Sequence, residues 1–398
     1  MSIGILLGTI FASLGITNKP QVKFFTELFE LLFSIQGRVN FENLSRYSQY
    51  DESTFRRRFS AFFDWLGFNQ SIIDSAKVGS CGRVVCAIDC SFISKSGKKT
   101  FGLDNFWSGC AQATKKGLEI SVLALIDVAS AMAWTLDVTQ TPPQLGTKNE
   151  AAYTRINFYI EQIFDCLAHL KQVKYFVADG FYAKKKMFMA ILSINKHLIT
   201  KLRPDANLKF RLEGDPPKRK GPKSPYEGKA VYNDLSKWHF VGKDDKYEYL
   251  SVYHRVCYSP QFECWLSVAL VLNTKSQKYI LLASSDIDQN ACEILTFYQL
   301  RFQIEFLFRD AKQFTGLNHC QAREEEKLDF HFNMSLAAIN VIQLLKINDP
   351  TITSMNALTR KAYNTRIVQN LLQQLCLEAE FDILNPDIQK VINLGANF

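Results

Sequence analysis

The sequence predicts a mixed α/β fold: a sheet core interrupted by a strand-rich insertion, with helical segments at both ends. Three observations carry this. From Arg83 to Lys201 short apolar runs alternate with helically spaced segments. From Tyr247 to Ser284 three β-like runs follow one another. Before Leu66 and after Asn290 apolar residues recur at helical spacing. A chain of 398 residues exceeds one average domain and suits a core with one or two additions. At 47% hydrophobic residues, with 31 Phe, it can bury a sizeable core.

The first sixteen residues, MSIGILLGTIFASLGI, are apolar but lack a basic leader and are soon broken by Lys19 and Pro20. A transmembrane helix needs roughly 20 apolar residues, so a packed N-terminal helix is expected and no membrane partner. Asn18 and Pro20 open the next helix, with Phe24, Phe25, Leu28, Leu31 and Leu32 on one face. A short helix over Phe41–Tyr47 and a third over Glu52–Leu66 follow. The third carries Arg56, Arg57 and Arg58, which cannot all face a core. A helix-turn-helix DNA reader and a small bundle with a charged outer face both fit.

From Arg83, RVVCAIDCSFI reads as a buried strand, Ile120–Val128 as a second and Ala131–Val138 as a third. Glu150–Leu170 is helical. Tyr175–Ala178 is a short strand stopped by Asp179-Gly180, Lys184–Ile194 a helix and His197–Lys201 a strand. Residues 204–228, rich in Pro, Gly and Lys, read as a loop. Strand runs at Tyr247–Tyr258, Cys264–Asn273 and Lys278–Ser284 make 205–285 a β-rich insertion. Helices then continue, with breaks, to about Leu377.

The net charge of +8 is uneven: Lys196–Lys229 holds ten Lys/Arg against four Asp/Glu. That stretch suits a polyanion better than a small neutral ligand, although a solvated loop has the same composition. The ten cysteines match no zinc spacing and no secretory framework, which points to reduced thiols in the cytoplasm.

Two carboxylates stand out. Asp89 and Asp179 each end an apolar run, and adjacent strand ends can bring carboxylates to shared metal ions; pairing with Lys or Arg is the other reading. A third comes from residues 298–312. Tyr298, Arg301, Glu305 and Lys312 lie at offsets 0, 3, 7 and 14. On one helix, at about 100° per residue, they fall within roughly 60° of each other. A phenol, a guanidinium, a carboxylate and an ammonium on a largely buried helix need partners, either phosphate and metal or an internal ion-pair ladder.

Tyr-x2-Arg-x3-Glu-x6-Lys is the signature of the IS4 family of bacterial insertion-sequence transposases, and residues 298–312 resemble it at every fixed position. Asp89 resembles the family's first aspartate. Asp179, followed by Gly180 and Tyr182, resembles the second. The resemblance spans about residues 39–346. It implies an RNase H-like core and a cut-and-paste transposase that excises and integrates an insertion sequence, with Asp89, Asp179 and Glu305 as catalytic metal ligands. It implies two Mg²⁺ or Mn²⁺ ions, and DNA contacts from Tyr298, Arg301, Lys312 and Tyr182; on the helix-turn-helix reading Arg56, Arg57 and Arg58 contact DNA as well. It also implies double-stranded DNA partners (terminal inverted repeats and target), a homodimer on DNA ends, and a bacterial, nucleoid-associated location. Where hairpin-forming members place a stacking Trp in the last insertion strand, this sequence has Tyr279; Trp238 and Trp265 read as core or strand residues. The expected organisation is 1–75, helical DNA-binding; 80–204, first part of the core; 205–285, β-rich insertion; 286–346, second part of the core with the Glu305 helix; 347–398, helical C-terminal region. A DNA-binding relative without transposition and a metal nuclease without strand transfer are the alternatives.

Overall fold

The structure, a computed structural model, describes residues 3–80, 82–145, 153–214, 224–375 and 382–395. Five helices lead: α1 (Ile3–Ser13), α2 (Lys19–Ser34), α3 (Phe41–Arg46), α4 (Glu52–Arg58) and α5 (Trp65–Ser75). Each of α2 to α4 starts on a side-chain cap, with Asn18, Asn40 and Asp51 accepting from the backbone N–H of Gln21, Asn43 and Thr54. The single helix expected over Glu52–Leu66 is two. Asp64 starts a new helix by accepting from Gly67 N–H at 2.9 Å, and the chain between Phe59 and Asp64 turns.

The core follows as β1 (Val84–Ser94), β2 (Asp104–Ser108), β3 (Ala113–Asp127), β4 (Met132–Gln140), α6 (Arg155–Asp165), β5 (Tyr175–Ala178), α7 (Lys185–Ser193) and β6 (His197–Leu202). The insertion holds β7 (Lys209–Arg211), β8 (Tyr226–Lys229), β9 (His239–Lys243), β10 (Leu250–Ser259), β11 (Cys264–Asn273) and β12 (Lys278–Ser284). Helices α8 (Ala291–Leu300), α9 (Phe302–Phe314), α10 (Glu325–Asn348), α11 (Met355–Gln374) and α12 (Pro386–Ile392) close the chain. The stretch read as a loop over 204–228 contains β7 and pairs it with β8; its residues 215–223 lie outside the described ones.

One mixed sheet joins these strands in the order β2-β3-β1-β5-β6-β12-β11-β10-β7-β8, with β4 also on β3 and β9 on β10. Strands β1, β5 and β6 are parallel neighbours and β3 runs antiparallel to β1. The path β4-β3-β1-β5-β6 is consistent with an RNase H-like core. The insertion does not form a sheet of its own: β12 pairs antiparallel with β6 and carries the core sheet onward.

Both faces of the sheet are covered. Val85, Ala87 and Val122 cluster with Ile304 and Leu307 of α9, while Cys86, Ile88 and Leu123 cluster with Ile163 of α6 and Phe188 of α7. Such two-sided burial explains why β1 and β3 read as unbroken apolar runs. Helix α10 is long and apolar enough to cross a membrane, but 89% of its apolar window is buried here, as in a core helix. Its Asn340 amide closes a buried network. It donates to the Thr135 carbonyl (2.7 Å) and to Asn69 Oδ1 (3.0 Å), and its oxygen accepts from Thr135 N–H (2.9 Å). Asn69 in turn donates to the Leu136 carbonyl, where the β3–β4 register shifts. The backbone groups of Thr135 and the Leu136 carbonyl, freed by the bulge, are thereby partnered.

The N-terminal helices share a core with α10. The Phe330 ring meets Phe25, Phe59 and Trp65 at centroid distances of 5.9, 4.2 and 5.1 Å. Phe330→Ala is expected to cost about 3–5 kcal/mol of unfolding free energy, from reduced burial plus a cavity between two parts of the chain. Urea titration checks this, and a loss below about 1 kcal/mol would mean that the N-terminal helices are held elsewhere.

Candidate active site

Parallel pairing of β1 and β5 sets the first two carboxylates side by side. The register runs Val85↔Tyr175 to Ile88↔Ala178, so Asp89 and Asp179 come next on neighbouring strands. Strand alternation puts Asp89 on the α9 face with Val85 and Ala87, and puts Cys90 on the other. Asp179 ends β5 and caps a single 3₁₀ turn, Gly180–Tyr182, with Oδ1 accepting from Phe181 N–H at 2.8 Å. Its carbonyl accepts from Thr200 Oγ1 of β6 at 2.7 Å, which fixes the backbone at that strand end.

The third carboxylate arrives on α9. The sequence reads residues 298–312 as one helix; the structure breaks it at Arg301. Tyr298 lies in the last turn of α8, and the chain tightens there through Arg301 N–H to Tyr298 O (3.2 Å) and Ile304 N–H to Arg301 O (3.1 Å). These three-residue hydrogen bonds make a 3₁₀-like junction. The Arg301–Glu305 spacing survives the break because both residues lie on the same side of it.

Arg301 is the hub. Its Nη1 donates to Asp89 Oδ2 at 3.0 Å and its Nη2 to Glu305 Oε1 at 2.8 Å. The guanidinium is 8% exposed and lies 4.7 Å from the Phe302 ring and 5.8 Å from that of Tyr298. Its Nε is buried without a hydrogen-bond partner among the described residues. Burial drives the Asp89 pKa up, Arg301 pulls it down, and Asp179 and Glu305 push it up again; it comes to about 7. Burial also raises the Tyr298 phenol.

Five of the expected residues thus converge: Asp89, Asp179, Tyr298, Arg301 and Glu305. Lys312 lies at the far end of α9, where its Nζ donates to the Phe92 carbonyl at 3.3 Å, three residues beyond Asp89 on β1. Tyr182 is 1% exposed and points the other way, its hydroxyl 3.3 Å from Cys90 Sγ. A DNA contact from its side chain would need the turn to open. Tyr279 donates its hydroxyl to the Pro204 carbonyl at 3.0 Å and packs on Tyr232 at 5.9 Å, inside the insertion. Trp238 is core, with Nε1 on the Val231 carbonyl. Among the arginines of α4, Arg56 and Arg57 are exposed, while Arg58 covers the Phe24 ring at 5.4 Å.

Sequence reasoning missed three partly exposed Phe rings next to motif residues, of which Phe181 meets Tyr182, Phe302 lies under Arg301 and Phe306 under Arg309. Phe181, Phe302 and Phe306 are 46%, 46% and 44% exposed, whereas most Phe side chains here are buried. The available signal was position: each follows a motif residue by one or two places.

The donor set suits a hard divalent cation. It is all oxygen, and one guanidinium pairs with Asp89 and Glu305 while Asp179 lies near Asp89, which leaves the cluster short of positive charge. Among the described residues no three such side chains already stand in ligand geometry, since Asp89 and Glu305 both address Arg301.

Residues 15–248, more than half of the chain, match the family model described as DDE superfamily endonuclease, and the chain belongs to that family. Nucleases of this superfamily generally use divalent metal ions. The matched stretch contains Asp89 and Asp179 and ends before Glu305. No curated protein matches the chain. Among solved structures, an endonuclease V variant from Ciona intestinalis, in complex with a 23mer DNA containing an inosine followed by a ribo-adenosine, is 13% identical. That alignment covers 71% of this chain and 97% of the other at a TM-score of 0.24, too low to carry an argument.

The raised Asp89 pKa gives a pH dependence. The native state keeps a proton on Asp89 from the ordinary value of 3.8 up to about 7, so this contribution to stability is present at low pH and is lost as pH rises through about 7. A divalent cation competes with that proton. Manganese is therefore expected to raise the melting temperature more at about pH 8 than at about pH 5.5, and Asp89→Asn to remove the difference. Equal manganese shifts at both pH values would count against Asp89 as a ligand.

Proposed function

We propose that this chain is a transposase of the IS4 type that cuts DNA and joins it with divalent metal ions held by Asp89, Asp179 and Glu305. The observation that carries the reading is the meeting of Asp89 of β1 and Glu305 of α9 on the Arg301 guanidinium, with Asp179 at the end of β5 close enough to raise the Asp89 pKa. Family membership supports metal-dependent nuclease chemistry; strand transfer and the insertion-sequence assignment are the proposal's own.

Phosphodiester cleavage needs an activated water and a stabilised leaving oxyanion, and Mg²⁺ or Mn²⁺ bound to the three carboxylates would supply both. The chain's residues do the rest. Arg301, released from the carboxylates, neutralises a non-bridging phosphate oxygen, and the Tyr298 hydroxyl donates to another. Lys312 neutralises backbone phosphate further along β1. The freed DNA 3′-hydroxyl is the next nucleophile: it attacks a second phosphorus and expels another 3′-oxygen, so the same site joins as it cuts. Residues 1–75 would recognise the element ends with the exposed Arg56 and Arg57, and two chains would act together in the bacterial cytoplasm, one on each end.

Asp89→Asn, Asp179→Asn and Glu305→Gln keep size and remove one negative ligand each. Each is expected to lower Mg²⁺-dependent nicking by at least about a thousandfold, some 4 kcal/mol of activation free energy, with duplex binding retained. Full nicking by any of the three would sink its assignment. A strand-transfer assay separates a transposase from a nuclease: products joined to a second duplex support the former, and cleavage alone supports the latter.

A further inference from the structure

Five cationic side chains from separate parts of the chain meet around a cavity of about 890 Å³ beyond the end of β1: Arg38, Arg56, Lys95, Arg323 and Lys327. Arg38 precedes α3, Arg56 lies on α4, Lys95 follows β1, and Arg323 and Lys327 flank the start of α10. One acid, Glu324, joins them and pairs with Lys327, while Arg56 pairs with Glu52. Arg38, Lys95 and Arg323 have no carboxylate partner among the described residues. The Lys95 ammonium instead donates to the Cys320 carbonyl at 2.5 Å. Burial lowers its pKa, the Cys320 thiol beside it raises it, and the neighbouring Arg323 lowers it again, so no carboxylate offsets the positive charge here. His319 lines the same cavity. Its Nδ1 accepts from Val39 N–H at 3.2 Å, which leaves Nε2–H as a neutral donor.

A concave surface with three unpaired cations and a neutral donor fits a phosphodiester backbone. We propose that this cavity holds the backbone of duplex DNA away from the cut and sets which phosphodiester reaches Asp89. The inference rests on the DNA-cutting reading and adds a second anchor at a defined distance. Lys95 is six residues beyond Asp89 along an extended strand, about 20 Å at 3.3 Å per residue. At about 3.4 Å per nucleotide the cavity meets phosphates roughly five to seven nucleotides from the scissile one.

The test uses the full chain and a duplex bearing neutral methylphosphonates at single positions. In the wild type, neutral linkages about five to seven nucleotides from the cut weaken binding. Arg38→Gln/Arg323→Gln is expected to bind unmodified duplex about tenfold more weakly, to lower the salt slope by about 0.9 for each phosphate it no longer neutralises, and to become insensitive to those linkages. Arg38→Lys/Arg323→Lys, which keeps the charge, restores most of the affinity. Unchanged affinity and salt slope in the Gln variant, or a sensitivity map without that window, overturns the proposal. If the Gln variant does not fold, the single Arg323→Gln variant and the wild-type methylphosphonate map decide. The two readings fail separately: a wild type that binds duplex in this window but never nicks it rejects the DNA-cutting function and leaves the cavity standing.

Discussion

Arg301 holds the candidate site together. One guanidinium spans a carboxylate on the central strand and another on α9, at 3.0 and 2.8 Å, and so ties two halves of the core separated by the whole insertion. Removing Arg301 would leave the buried Asp89 carboxylate beside Asp179 and Glu305 without its guanidinium, a costly outcome compared with losing an exposed pair. The helix break at Arg301 is part of the same arrangement. Three-residue hydrogen bonds there let α8 and α9 meet with the Arg301 side chain aimed into the sheet rather than along one helix face. The clasp is also a constraint, because Asp89 and Glu305 cannot bind a cation through the same oxygens while they serve Arg301.

Strand β1 serves both faces of the sheet. Asp89 looks towards α9, and the next residue, Cys90, looks towards Tyr182, whose ring lies 5.5 Å from that of Tyr159; Tyr159 donates to Glu119 of β3 at 2.7 Å. The turn after Asp179 is therefore anchored from behind by the Tyr182 side chain, while its capping carboxylate stays on the site side. This division of labour explains why an Asp-Gly-x-Tyr sequence is useful here without its Tyr touching a substrate. Gly180 has its own reason: a Cβ there would come within 3.1 Å of the Lys201 carbonyl on β6.

Much of this was legible in the residues, and the gaps have physical causes. Apolar runs bounded by Gly, Asn and charged residues located β11 and β12 to the residue, because strands buried on both faces leave an uninterrupted signal. The Arg301–Glu305 pair followed from helical spacing. The Arg301–Asp89 bond did not, since partners 212 residues apart leave no local pattern. Strand β2 was missed because Asp104-Asn-Phe-Trp-Ser has little β-like alternation and takes its order from pairing with β3. The break at Phe59–Asp64 was missed because apolar residues continue through it at helical spacing, and only Asp64 as a cap marks the restart. Tyr279 lies in the expected strand, but its partner Tyr232 comes from a loop whose course no periodicity shows.

Charge is left unbalanced in two places along one strand, with opposite signs. At Asp89 two carboxylates share one guanidinium with a third, Asp179, nearby; beyond Ser94 three cations without a carboxylate partner among the described residues line a cavity with a single acid that is already engaged. A protein optimised for stability alone would have little reason to hold the two apart, since mutual screening inside the fold would relieve both. The separation makes sense if a third body completes each. Divalent cations would answer the carboxylates and a phosphate backbone would answer the cavity, and the Asp89–Lys95 span would then fix the spacing between them. On that view the +8 net charge is less informative than its distribution: the basic stretch 196–229 accounts for most of the excess, but the paired deficit and surplus along β1 decide where a DNA strand would lie.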